Sequence, residues 1–340
     1  MQRKITGATA HINLDYARMH EAGIHALRYG FGFPFEEDGK SPSQRFLKAK
    51  ERAMELREAG FDLLGSTFGP GSYRYDPKVK ATRWVSSIPE WIGGYDSDSF
   101  YEAVEAAGEF LGRECKDLCE YWQVANEPDI DIFKGDMTDS QSVRFLIALA
   151  RGLKKGNPNA KPGINLGFMT PYSEWLLKQL YRIPDSPFDY VGIDGYMGSW
   201  QKGGPQDWLW YIDKAYDISG KPVIINEWGY STLQKGPNPD PEGKRRYNQS
   251  VCKNKEWGFV WREQHSPEEQ ADYIRECMRI FAEHPAVIGE FFFRWSDTET
   301  CWQCGDPLCP AECAWGIVDV NGNPKPGYYA LKESYEKYFK

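Results

Sequence analysis

The chain is 340 residues long and 41% hydrophobic, with a formal net charge of −8. That length is ordinary for one large α/β barrel and long for a single sandwich, and it can bury a substantial core. The acidic balance argues against nucleic acid or an anionic membrane surface as partner, and no apolar run approaches the roughly 18 residues that span a bilayer.

Met1-Gln2-Arg3-Lys4 leads straight into structured sequence without an apolar leader; the expectation is a secreted protein whose signal has been removed, with a cytoplasmic one as the alternative. Residues 5–12 read as a first strand, and 16–22 as a helix closed by Gly23. A second strand over 24–31 places Arg28 among aromatics. The helix over 43–59 carries Phe46, Ala49, Ala53 and Leu56 on one face and stops at Gly60. A third strand over 61–68 is followed by a long Gly/Pro/Tyr-rich loop, 69–77, whose length marks it as functional.

An amphipathic helix over 97–119 feeds a short apolar run, Tyr121-Trp122-Gln123-Val124-Ala125, that ends in Asn126-Glu127-Pro128. Proline cannot continue a ladder, so Glu127 is placed where strand gives way to loop. Thr138 with Gln141 forms a capping box ahead of the next helix. A strand over 161–168, a helix over 173–181, a strand over 188–196 bearing Tyr196 and a helix over 208–218 follow. The β-branched run Val223-Ile224-Ile225 ends in Asn226-Glu227-Trp228-Gly229, a second strand closing on a carboxylate. A polar insertion, about 233–265, is too long for an ordinary connection. Ser266-Pro267-Glu268-Glu269 caps a helix to about 283, residues 287–295 form an eighth strand ending at Trp295, and 326–339 a closing helix.

Eight strands alternating with helices predict one α/β domain over residues 1–340, a (β/α)8 TIM barrel with the insertion and a Cys-rich loop at about 297–315. A doubly wound sheet would offer a glycine-rich phosphate loop after an early strand, and none is present. In a barrel the active site lies at the C-terminal ends of the strands. Arg28, Glu127, Tyr196, Glu227 and Trp295 all fall there.

One glutamate at a strand end is most often a helix cap or a surface ion pair. Two such residues a hundred positions apart, on strands four and seven, face each other across the barrel mouth. Retaining glycoside hydrolysis needs two carboxyl groups about 5–5.5 Å apart, one attacking the anomeric carbon and one protonating the leaving oxygen. Their surroundings must push the two pKa values apart. Among 13 tryptophans and 20 tyrosines, Trp200 and Trp302 follow strands six and eight and are the expected sugar platforms, whereas Trp208 and Trp210 open a helix and are expected to pack. A metal-dependent barrel hydrolase would need His and carboxylate ligands at strand ends; of the five histidines His11 and His25 could lie near the barrel, but His20, His265 and His284 are not strand-end residues, which argues against it.

Asn126-Glu127-Pro128 paired with Ile225-Asn226-Glu227-Trp228-Gly229 resembles the clan A retaining glycoside hydrolases, and Trp315-Gly316-Ile317-Val318-Asp319 with Pro324-Lys325-Pro326 and Tyr328-Tyr329-Ala330-Leu331 is similar to the close of many such domains. The resemblance implies Glu127 as acid/base and Glu227 as nucleophile. It further implies Asn126 on the sugar 2-hydroxyl, Tyr196 holding the nucleophile, Arg28 keeping it ionised, and Trp295 as the floor of the −1 subsite. Catalysis would need no cofactor, and the partner would be a β-linked carbohydrate. Asp194 stands where family 5 usually carries His two residues before the strand-six Tyr, which argues against that family; no family is assigned. The alternative is a non-catalytic barrel that binds carbohydrate through its tryptophans. Sugar identity, exo or endo action and oligomeric state stay open.

Cys301-x2-Cys304-x4-Cys309-x3-Cys313 lies in the loop after strand eight. Four thiolates could close a tetrahedral structural zinc site, and two disulfides could staple the same loop. Either would stiffen a wall of the cleft. Cys252, in the insertion, could join a bridge.

Overall fold

The computed structural model describes residues 4–247 and 249–339; residues 1–3, on which the leader expectation rests, lie outside the described residues. β1 (Ile5–Thr9), α1 (Tyr16–Glu21), β2 (Ala26–Gly30), α2 (Gln44–Glu58) and β3 (Asp62–Ser66) open the chain in the predicted alternation. The stretch expected to be loop over 69–77 is instead one arm of an antiparallel hairpin, β4 (Gly71–Asp76) and β5 (Ala81–Ser86), outside the main sheet. Then come α3 (Asp98–Glu114), β6 (Cys119–Gln123), α4 (Asp131–Lys134), α5 (Asp139–Gly156), β7 (Lys161–Gly163), β8 (Asn165–Leu166) and α6 (Pro171–Tyr181). β9 (Val191–Gly195), α7 (Asp207–Ser219), β10 (Val223–Trp228), α8 (Ser250–Asn254), α9 (Pro267–Glu283), β11 (Val287–Phe293) and α10 (Pro326–Tyr338) complete the chain.

The main sheet runs β7-β6-β3-β2-β1-β11-β10-β9-β8, and its strand pairs are parallel. β7 and β8 are two pieces of one barrel strand: β7 bonds to β6 and β8 to β9. At the step between them the Gly163 carbonyl accepts from Val124 N–H (2.8 Å) and the Ile164 carbonyl from Gly192 N–H (2.6 Å). The sheet therefore comes round on itself as a TIM barrel. Among the described residues no helix is long and apolar enough to cross a membrane.

Local chemistry sets the boundaries. Ser43 caps α2 by accepting from Phe46 N–H, and Thr138 and Gln141 form the reciprocal box at α5. At α9 only half of the expected box is made: Ser266 accepts from Glu269 N–H, but the Glu269 carboxylate turns to the Arg262 guanidinium at 2.9 Å. The helices behind the Glu127 strand meet backbone to backbone. A Cβ on Gly108 of α3 would lie 2.5 Å from the Leu149 carbonyl oxygen, and one on Gly156 of α5 2.0 Å from that of Glu109. Four-residue glycine spacing on both partners (Gly108/Gly112 and Gly152/Gly156) gives this close approach.

The insertion is not a solvated loop. It carries α8 and buries Val251, Cys252 and Trp257 against Cys301, Cys304, Cys309 and Trp315, a small second core beside the barrel mouth.

One buried carboxylate ties sheet to helices. Glu290 in β11 is fully buried, accepts from Trp228 Nε1 (2.6 Å) and takes the Tyr335 hydroxyl of α10. Burial, outweighing these hydrogen bonds, pushes its pKa up from the ordinary 4.5 to about 7. Between those values the native state holds a proton that the unfolded chain has released. Its contribution to stability is therefore full below pH 4.5 and is lost as pH rises through about 7, roughly 3 kcal/mol at about 1.36 kcal/mol per unit. Glu290→Gln is expected to flatten this slope, read as unfolding free energy in urea from pH 4.5 to 8; an unchanged slope would contradict it.

Candidate active site

A cavity opens at each end of the barrel. The larger, about 610 Å³, lies at the N-terminal ends of the strands, lined by Lys4, Leu63, Cys119 and Val287. Two of its carboxylates are solvent-facing and paired, Asp62 with Arg57 and Glu120 with Lys161, an arrangement suited to stability. The other, about 300 Å³, lies at the C-terminal ends, where barrel chemistry is placed. It gathers Arg28, Asn126, Glu127, Tyr196, Trp200, Glu227 and Trp302 of the expected residues, with Phe293, Gln303, Glu312 and Trp315.

Glu227 lies in β10, where the register with β9 slips between Ile225 and Glu227. The slip re-aims the strand, as bulges do, so the adjacent Asn226 and Glu227 both find polar partners within the barrel mouth. Asn226 Nδ2 donates to Gln123 Oε1 across the barrel at 2.9 Å. Arg28 Nη1 is ion-paired with Glu227 Oε1, and the Tyr196 hydroxyl donates to Oε2. Arg28 Nη2 also donates to Asn126 Oδ1 at 2.8 Å. The guanidinium links the two halves of the site.

Glu127 reaches the cavity by a different route from the one expected. β6 stops at Gln123, and the next four residues form a tight turn in which Ala125 (φ 61°) and Glu127 (φ 39°) are left-handed. Such conformations cost about 1–3 kcal/mol each and persist only where neighbours over-determine them. Here Ala125 N–H donates to Thr67 Oγ1 (2.9 Å) and Glu127 N–H to Asn165 Oδ1 (3.1 Å). Asn126 Oδ1 accepts from Arg28, Gln123 Nε2 (3.2 Å) and Asn165 Nδ2 (3.2 Å), while Asn126 Nδ2 donates to Glu127 Oε2 at 3.3 Å.

Desolvation, then the charges of Asp194 and Asp129, hold Glu127 well above the ordinary carboxylate range, with Arg28 and Asn126 pulling the other way. Asp194, fully buried and bonded to Asn165 Nδ2 (2.6 Å), is itself raised by burial. Asp129 is not free for sugar hydroxyls, since it caps Gly167 N–H (2.9 Å), Phe168 N–H (3.2 Å) and the Ser173 hydroxyl (2.8 Å).

Gly167 fixes where the Glu127 carboxyl can lie. A Cβ there would meet Ile130 Cδ1 at 2.3 Å and Glu127 Oε1 at 2.6 Å. Gly167→Ala is expected to displace the carboxyl and lower kcat on the order of 10²-fold, the effect of a misplacement near 1 Å, with the circular dichroism unchanged. Wild-type kcat in this variant would contradict the placement.

Trp200 and Trp302 reach the cavity. Trp200 is held edge-on against Trp257 at 4.8 Å, and Trp302 is 39% exposed. Trp295 does not reach it. β11 ends at Phe293, so strand alternation no longer governs residue 295, and Trp295 is wholly buried, donating Nε1 to the Asn13 carbonyl at 2.7 Å and packing on Tyr328. The apolar floor is instead Phe293, Tyr196 and Trp315, with Trp315 edge-on to Tyr196 at 4.9 Å. Sequence reasoning also missed Glu312, buried, raised by burial and paired with Arg294 at 3.2 Å, and Gln303, which donates to it at 2.7 Å. Both sit in an aperiodic loop; their position after the eighth strand was the available signal.

The cysteine grouping differs from the expected one. Cys252, Cys301, Cys304 and Cys309 bring four buried sulfurs within 4.8 Å of one another. Cys313 stays outside, its sulfur 3.9 Å from the Asp306 carbonyl. A partner 49 residues upstream replaces the fourth member of the local run.

Neither protein-family models nor curated protein sequences match this chain. Solved structures do. A β-D-glucuronidase from Dictyoglomus thermophilum superposes with a TM-score of 0.61 at 14% identity, covering 99% of this chain and 52% of that one. An Ignisphaera aggregans GH53 catalytic domain gives 0.61 at 17% identity over 97% and 95%, and a family 1 β-glucosidase from Thermotoga maritima 0.60 at 14% over 95% and 85%. The chain spans about half the length of the glucuronidase. At these identities the likeness is one of fold: the barrel is of the kind seen in glycosidases, as the clan A resemblance implied.

Proposed function

We propose that the chain is a retaining β-glycoside hydrolase acting on a β-linked oligo- or polysaccharide, with Glu227 as nucleophile and Glu127 as acid/base. The observation that carries this reading is the contrast between two carboxyls in one cavity. One is charge-balanced by Arg28; the other is enclosed beside Asp194 and Asp129 and pushed towards its protonated form. A carboxyl held towards its protonated form beside one paired with a guanidinium suits a division into acid and nucleophile roles.

In the first step a Glu227 oxygen attacks the anomeric carbon while Glu127 gives its proton to the departing glycosidic oxygen. Tyr196 and Arg28 fix the attacking carboxylate. The Asn126 Nδ2 hydrogen not directed at Glu127 is available to a sugar hydroxyl. In the second step Glu127, now a carboxylate, takes a proton from the water that releases the sugar from Glu227. Trp315 and Phe293 supply an apolar face for the ring, and Trp200 and Trp302 flank the entrance.

The test is trapping. Gluco- and galacto-configured 2-deoxy-2-fluoro β-glycosides with good leaving groups slow the second step more than the first. Peptide mapping is expected to find the fluorosugar esterified to Glu227. Esterification of Glu312, or carbohydrate binding with neither labelling nor turnover of any β-glycoside, would overturn the reading.

A further inference from the structure

We infer that Cys252, Cys301, Cys304 and Cys309 hold one zinc ion, which ties the insertion to the loop forming one wall of the cavity. Zinc bound by four thiolates has Zn–S bonds of about 2.3 Å, which sets sulfurs about 3.8 Å apart at the corners of a tetrahedron. Cys252 Sγ lies 3.9 Å from that of Cys301 and 4.0 Å from that of Cys309, and all four sulfurs fall within 4.8 Å. A disulfide would bring two of them to about 2.05 Å and separate that pair from the rest. A sulfur equally near two others is a corner, not half of a pair.

The charges around the sulfurs point the same way. Lys255 directly follows α8, its side chain is 1% exposed, and its Nζ lies 3.2 Å from Cys304 Sγ and 3.9 Å from Cys309 Sγ. The acid beside it, Asp306, is bound at 2.7 Å but is also paired with Arg245. Two cations around one carboxylate leave a surplus positive charge that needs an anion. A zinc tetrathiolate, which is dianionic, supplies it. Soft thiolates in a closed tetrahedron select zinc over the hard divalent cations.

The ligand set joins chain segments 49 residues apart, and the loop it anchors carries Trp302, Gln303 and Glu312 into the cavity. The ion is structural: four protein ligands leave no open position for substrate. Its part in recognition is to position the wall.

The test starts with elemental analysis of the whole chain, purified without a metal-affinity tag or chelator. About one zinc per chain is expected, released by a mercurial thiol reagent in step with the modification of four thiols. Cys252→Ser is expected to lose bound zinc and Cys313→Ser to retain it. Should Cys252→Ser fail to fold, wild-type stoichiometry and Cys313→Ser still decide. Wild-type protein without metal, whether its thiols are free or its mass shows two disulfides, would overturn the assignment, as would iron in place of zinc. Loss of zinc from Cys313→Ser would overturn the ligand set.

Discussion

Glu227→Ala is expected to lower kcat by about four orders of magnitude or more, the scale seen when an enzyme loses its nucleophile. In the proposed mechanism the substitution deletes the attacking atom and leaves nothing positioned to replace it. It also removes the partner of Arg28, a side chain only 14% exposed. Some loss of stability is expected from that unpaired charge, and Glu227→Gln, which keeps an acceptor for Tyr196, should lose the same activity with less of it. Azide occupying the emptied space of Glu227→Ala should restore turnover of activated aryl β-glycosides and give the α-glycosyl azide, because a single displacement inverts. Substantial turnover without azide would remove Glu227 from the mechanism.

Glu127→Ala is expected to behave differently, and the difference assigns the roles. General acid catalysis contributes about 10²–10⁴-fold, or ~2.7–5.5 kcal/mol of barrier. That loss should appear in kcat/KM for substrates with poor leaving groups and nearly vanish for dinitrophenyl glycosides, which leave without a proton. Azide should rescue by attacking the glycosyl-enzyme, giving the β-glycosyl azide. The pH profile adds a second reading. Glu127 must be protonated to act and its pKa is raised, so wild-type kcat/KM should fall on the alkaline side, at a pH above the ordinary carboxylate range. The variant should lose that limb with activated substrates. Equal losses for good and poor leaving groups would contradict the acid assignment.

The barrel was readable because most of its strands and helices carry their period in the apolar residues and their ends in the caps. Two departures have physical causes. Residues 161–166 pair on both sides through only short segments, so the break at Ile164 leaves no mark in the pattern. The β4–β5 hairpin lies apart from the main sheet, and a run rich in Gly, Pro and Tyr reads as a loop when no apolar face is being buried.

Within the cavity, Arg28, Tyr196 and Glu227 meet because strand ends converge in a barrel, and Asn126 and Glu127 join them through the turn that follows β6. What strand logic could not supply is where a side chain turns once the ladder stops. Trp295, two residues past β11, went to the core, while Trp315, in the closing Trp-Gly-Ile-Val-Asp run, went to the cavity. The choice of Cys252 over Cys313 depends on the insertion folding back across the mouth, which spacing along the chain does not encode.

Product stereochemistry tests double displacement by Glu127 and Glu227 most directly. Proton NMR of the anomeric region, recorded in the first minutes of aryl β-glycoside hydrolysis, should show the β-anomer of the free sugar appearing first, with the α-anomer growing in only at the rate of mutarotation. The α-anomer appearing first would mean that water attacks directly, and Glu227 would then be a base rather than a nucleophile.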